Sequence, residues 1–181
     1  MLFSKLIASF ALLASQVHAL PNSATQVESA SDSVLDSRTI PSVLRQHAAK
    51  AIKAFSDPRL TMFHSGLGAS LAARMAKERN LQTVEMTIAT AIQKDPNTYR
   101  DTLAKYCIPK ANFCDIRGDE AEWIQVWDII CEEWSERPLE RTRLLYPTVQ
   151  KPSATSFYMR KEEPNLIRRH IEIDVEKVQV P

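Results

Sequence analysis

Asp119-Glu120-Ala121-Glu122-Trp123-Ile124-Gln125-Val126-Trp127-Asp128-Ile129-Ile130-Cys131-Glu132-Glu133-Trp134-Ser135-Glu136 is the stretch on which the fold class turns. Trp123, Trp127, Ile130 and Trp134 recur at i, i+4, i+7 and i+11, with Ile124 and Cys131 beside them, so one wide apolar stripe runs along an amphipathic helix. A tryptophan stripe at this spacing is a core-facing surface before it is a ligand cage. Asp119, Glu120 and Glu122 suit the positive end of the helix macrodipole, while Asp128, Glu132, Glu133 and Glu136 form a solvated acidic face.

Working outward, the same period recurs upstream. Pro41 opens a helix whose apolar side is Val43, Leu44, His47, Ala48, Ala51, Ile52 and Phe55, and Asp57-Pro58 ends it. Leu67 to Arg79 is a second helix, stopped at Asn80; Thr83 to Lys94 is a third, broken at Asp95-Pro96; Thr98 to Cys107 resumes the pattern. Downstream, a short helix is predicted from Pro138 to Tyr146. After Pro147 the period changes. Ser156-Phe157-Tyr158-Met159 and the alternating run Ile171, Ile173, Val175, Val178 and Val180 flank the turn-forming Lys161-Glu162-Glu163-Pro164-Asn165, which predicts a C-terminal β-hairpin or an extended arm. The expected fold is mainly α: a small bundle of about five to six helices carrying that β tail.

The N-terminus reads as an export signal. Lys5 is followed by an apolar core from Leu6 to Leu13, and Val17-His18-Ala19 supplies a cleavage site before Leu20. That core is shorter than the roughly 20 residues a bilayer span needs. Residues 20–38 are polar and Ser-rich and are expected to be a disordered leader, leaving 39–181 as one mostly helical domain. Loss of residues 1–19 removes Lys5 and no acid, so 22 acidic residues face 22 basic ones. A balanced chain of this kind gives no bulk attraction to nucleic acid, and neither a nucleic-acid nor a membrane partner is expected.

Export places Cys107, Cys114 and Cys131 in an oxidising compartment. Cys107 and Cys114 bracket a six-residue loop with a Pro break and are one candidate disulfide; Cys131 with either of them is the other. Three Cys without a nearby His or C-x2-C pair make a poor zinc set, and no metal or cofactor is expected. His64-Ser65-Gly66-Leu67-Gly68-Ala69-Ser70 could hold an anion on its backbone amides, but a phosphate loop requires a preceding strand, and a helix-to-helix connection is the reading adopted. Ser65 lacks the G-x-S-x-G elbow of a presented nucleophile. Phe113-Cys114-Asp115 resembles the Cys-Asp start of the catalytic helix in secreted phospholipases A2 over two residues. Ile116, Arg117 and Gly118 stand where a His and an Asp are needed, so no general base or calcium site carries over.

Charge is sorted along this neutral chain. The acidic helix is followed by Arg137, Arg141 and Arg143, and the tail holds Arg160-Lys161 and Arg168-Arg169-His170. A small, Cys-poor helical domain behind a Ser-rich leader resembles, in architecture, the secreted effectors of filamentous plant-associated microbes. That resemblance implies a secreted protein, with entry into host cells left open, that binds a partner protein without turnover. The partner-binding candidates are Arg160, Lys161, Arg168 and Arg169, and intramolecular pairing with the acidic helix is the rival use of the same arginines. The alternative function is a small secreted hydrolase with its site near His47 and His64.

Overall fold

The computed structural model describes residues 39–115 and 121–180. The signal, the leader and Ile116–Glu120 lie outside the described residues. Helix α1 spans Thr39–Phe55, strand β1 Met62–His64, helix α2 Ala69–Glu78 and helix α3 Val84–Lys94. A one-turn helix α4, Pro96–Tyr99, and a 3-10 turn, Leu103–Tyr106, precede the two-residue strands β2 (Ile108–Pro109) and β3 (Cys114–Asp115). Helix α5 follows at Ala121–Ser135, then β4 at Arg141–Pro147, a π-helical turn at Tyr158–Glu162, α6 at Glu163–Arg168 and β5 at Glu172–Val178.

The fold is broadly helical but mixed α/β, which corrects the helical bundle. Strands β1, β4 and β5 form a parallel sheet in the order β1-β4-β5, with Met62–His64 against Arg143–Leu145 and Arg141–Pro147 against Glu172–Val178. The expected helix at Pro138–Tyr146 is therefore mostly strand β4. Its central position explains the difference: Leu144 and Leu145 are both buried, one on each face, so these neighbours are both apolar and the strand lacks strict alternation. Of the expected C-terminal hairpin or extended arm, the alternating run from Ile171 does form a strand, β5, but it pairs in parallel with β4 and not as a hairpin. Parallel pairing needs a crossover, and Phe157 to Arg168 supplies it as the π-helical turn and α6, with Pro164 in the first turn of α6 where its missing N–H costs nothing. The predicted helix Thr98–Cys107 is broken into α4 and the 3-10 turn.

Alternation across β1 and β4 divides the core. Phe63 and Leu144 face a large cluster that includes Trp127, Ile130 and Trp134 of α5, Leu44, Ala48 and Ile52 of α1, and Ile88 of α3. Met62 and Leu145 face a smaller cluster with Leu67, Ala72, Ala76 and Val178, which α2 covers. The stripe on α5 faces inward as its period requires: Trp127, Ile130 and Trp134 are wholly buried, while Trp123 is half-buried and meets Tyr106 edge-on with ring centroids 5.7 Å apart. Trp127 also donates its indole N–H to the Tyr106 carbonyl at 2.9 Å. Cys107 and Cys114 are joined by a disulfide that staples β2 to β3, and Cys131 is free and buried. No helix among the described residues is long and apolar enough to cross a membrane.

Candidate functional site

Strand β1 ends at His64, at the carboxyl edge of the parallel sheet, where open α/β sheets hold their ligands. Ser65 to Gly68 then lead into α2, with Gly66 at φ 72°, a conformation that suits glycine. So the segment read as a helix-to-helix connection does follow a strand, and it lines an open cleft of about 290 Å³. The opposite side of the cleft is formed by Asp115, Ser156 and Phe157. Adjoining it is a small pocket of about 30 Å³ that shares His64, Glu85 and Phe157 with the cleft and adds Cys131, Trp134 and Glu162.

One glutamate meets the histidine there and a second lines the same pocket. Thr83 caps α3 by accepting the Met86 amide, which fixes the first turn and directs Glu85 to His64, with Nε2 to Oε1 at 2.9 Å. Burial alone would lower the His64 pKa, but Glu85 outweighs it and holds the imidazole above its ordinary range. Burial alone would raise Glu85, and the charge and hydrogen bond of His64 override it, keeping Glu85 below the usual carboxylate range. The pair is an imidazolium with a carboxylate. Glu162, on the π-helical turn, is pushed up to about 8 by its own burial, with the positive charge of His64 pulling it down and the negative charge of Glu85 adding a smaller upward push. It holds a proton at neutral pH. Burial also raises the Cys131 thiol well above its ordinary value, so Cys131 is no thiolate nucleophile.

The arrangement therefore sets one ionised carboxylate and one protonated carboxyl in the same buried pocket, with an opening to solvent beside them. Titratable pairs whose surroundings drive their pKa values apart carry acid and base roles.

Of the residues singled out from the sequence, His64 and Ser65 lie in this site, and Ser65 is 3% exposed with no hydrogen-bond partner for its hydroxyl. His47 does not join them; its Nδ1 meets Thr102 Oγ1 at 2.8 Å and its ring stands edge-on to Tyr99. The arginines of the basic tail pair within the chain. Arg160 pairs with Asp128 at 2.8 Å and lies over Phe157, while Arg168 and Arg169 both pair with Glu136, at 2.9 and 3.3 Å. Arg169 further donates to the carbonyls of Ser135 and Pro138. Lys161 is half-buried. On the acidic helix, Glu132 and Glu133 are met by Arg45 of α1 at 2.6 and 2.5 Å. The reading from sequence missed Glu85 and Glu162. Glu85 is indistinguishable there from any acid in a first helical turn, and Glu162 sat inside a segment with turn chemistry.

No family model matches the chain, and no curated protein matches it. Twelve chains among solved structures do match. One is described as "Structural insights into the catalytic mechanism of CD38: Evidence for a conformationally flexible covalent enzyme-substrate complex", at a TM-score of 0.32 and 13% identity, covering 78% of this chain and 92% of that one. An overlap at that score carries no argument about activity.

Proposed function

We propose that the chain is a small secreted hydrolase that cleaves a glycosidic bond, with Glu162 as general acid and Glu85, held ionised by His64, as the carboxylate that stabilises the transition state. The observation that supports this is the pair of buried glutamates that line one small pocket with His64, one protonated and one ionised, of which Glu85 also lines the open cleft. Glycoside cleavage needs a carboxyl that can protonate the leaving oxygen or nitrogen, and a carboxylate facing the positive charge that develops on the sugar ring. A carboxyl with a pKa of about 8 retains its proton at working pH and gives it up when the leaving group becomes basic. The disulfide and the lack, among the described residues, of any membrane-length apolar helix accord with export.

Partner binding through a basic tail is the weaker reading, because Arg160, Arg168 and Arg169 are occupied by acids of α5 and the turn after it. The deciding experiment assays the secreted chain on a panel of glycosides with O-linked and N-linked reporter groups. Wild type should turn over at least one, and Glu162→Gln should lower kcat by about 10² to 10⁴ with little change in KM. Equal activity in wild type, Glu162→Gln and Glu85→Gln would remove the proposal.

A further inference from the structure

Two residues that line the small pocket adjoining the cleft carry buried polar atoms that the protein leaves unpaired. Trp134 is 0% exposed and Glu85 is 4% exposed; Trp134 Nε1, a donor, and Glu85 Oε2, an acceptor, have no hydrogen-bond partner among protein atoms. Both residues line the same cavity. The rest of its wall is largely apolar, from Met62, Phe63, Val84 and Phe157. An orphaned indole N–H and an orphaned carboxylate oxygen, each out of reach of bulk solvent, carry a large desolvation cost unless something small and polar joins them.

The geometry points to a built site for one long-lived water, which accepts a hydrogen bond from Trp134 Nε1 and donates one to Glu85 Oε2. Size and chemistry agree. A volume of about 30 Å³ exceeds the roughly 10 to 15 Å³ that one water requires and leaves little room for anything larger. A donor and an acceptor supply the minimum of two polar partners, and the water keeps its second hydrogen for the side of the cavity that Glu162 and Cys131 line. Ser65 Oγ, the other unpartnered atom of this region, belongs to the outer cleft and not to this cavity.

The water completes the hydrogen bonding of Glu85, whose other oxygen already meets His64. It thereby keeps that carboxylate ionised beside a protonated Glu162. This role rests on the hydrolase reading, whereas the presence of the water does not.

Nuclear Overhauser transfer between solvent and the Trp134 indole N–H, recorded in laboratory and rotating frames on the full chain, tests the site. The two frames give cross peaks of opposite sign for a bound water and of the same sign for simple proton exchange. Wild type should show the bound-water pattern at Trp134. Val84→Ile, which adds one methylene at the cavity wall in a side chain of the same branching, should abolish it while the other indole signals keep their shifts. Glu162→Gln should retain it while losing turnover, so a failure of the hydrolase reading and a failure of the water site give different results. Absence of the cross peak in wild type, or its survival at full intensity in Val84→Ile, would overturn the inference. Should Val84→Ile not fold, a high-resolution crystal structure of wild type decides: one water within hydrogen-bond distance of both Trp134 Nε1 and Glu85 Oε2 supports the site, and an empty or apolar cavity refutes it.

Discussion

Helix α5 and the residues just past it touch two polar regions of opposite character, one reaching the surface and one buried. At the C-terminal end, Asn165 donates to Ser135 Oγ at 2.6 Å and to Glu136 at 2.7 Å, Arg168 and Arg169 pair with Glu136, and Arg169 also satisfies two backbone carbonyls. One turn back, Cys131 and Trp134 border the cavity where His64 and Glu85 pair tightly while Glu85 Oε2 and Trp134 Nε1 do not. The first region is satisfied and ties the α6 crossover to the rest of the chain. The second concentrates charge and unpaired polar atoms next to an opening. A fold keeps such a region against its own stability chiefly where chemistry or a ligand requires it.

That contrast can be broken most sharply by substitution. The loss of turnover expected for Glu162→Gln is the largest effect, and no comparable loss should follow Arg168→Ala, whose pairing is structural. Trp127→Ala removes a wholly buried indole from the common core and should destabilise by about 3 kcal/mol or more in denaturant unfolding. A midpoint shift no greater than that of Glu132→Ala would mean the stripe on α5 is not core. Replacing Cys107 and Cys114 together by Ser opens a short loop and should cost about 2 to 3 kcal/mol, measured the same way. Arg168→Ala, at an exposed pair, should cost about 0.2 to 1 kcal/mol, falling with added salt.

The two regions also differ in what pH does to them. The raised pKa of Glu162, about 8 against an ordinary 4.5, means that its protonated form stabilises the fold and that this contribution is lost as pH climbs from 4.5 through 8. His64, raised above 6.5, adds a stability present below that value and lost as pH passes the folded pKa. Glu85, lowered, contributes above 4.5 and is lost as pH falls through its folded pKa. Together they place maximum stability at about pH 4.5, with a decline toward alkaline pH that Glu162 begins and His64 steepens above about 6.5, a profile that thermal unfolding across pH 3 to 9 would record. Glu162→Gln should flatten the alkaline decline, so the variant that loses turnover gains stability near pH 8. An unchanged profile would show that Glu162 is not held in its protonated form.

How far the sequence disclosed this depends on the distance over which each feature is encoded. The α5 stripe, the α3 helix and the Cys107–Cys114 pair depend on neighbours within one or two turns or a single loop, and these agree with the structure. Strand β1 is only three residues long, too short for any period, and β4 is buried on both faces, so neither announced the parallel sheet. Without β1 the Gly-containing segment lost the strand that gives it meaning. The acid pair is less local still. Glu85 lies 21 residues beyond His64, and Glu162 reaches the same cavity only because a π-helical turn ahead of α6 presents it there. The charge sorting was visible and intramolecular pairing with the acidic helix was one of its two readings, but which acid meets each arginine is decided by the crossover between β4 and β5.

The measurement that bears most directly on the site needs no substrate. Titrating the side-chain carboxyl carbons of Glu162 and Glu85 by carbon-detected NMR should show Glu162 remaining protonated until about pH 8 while Glu85 is ionised throughout the range in which the chain stays folded. Should both carboxyls titrate together near the ordinary 4.5, the acid and base roles assigned here would have no basis.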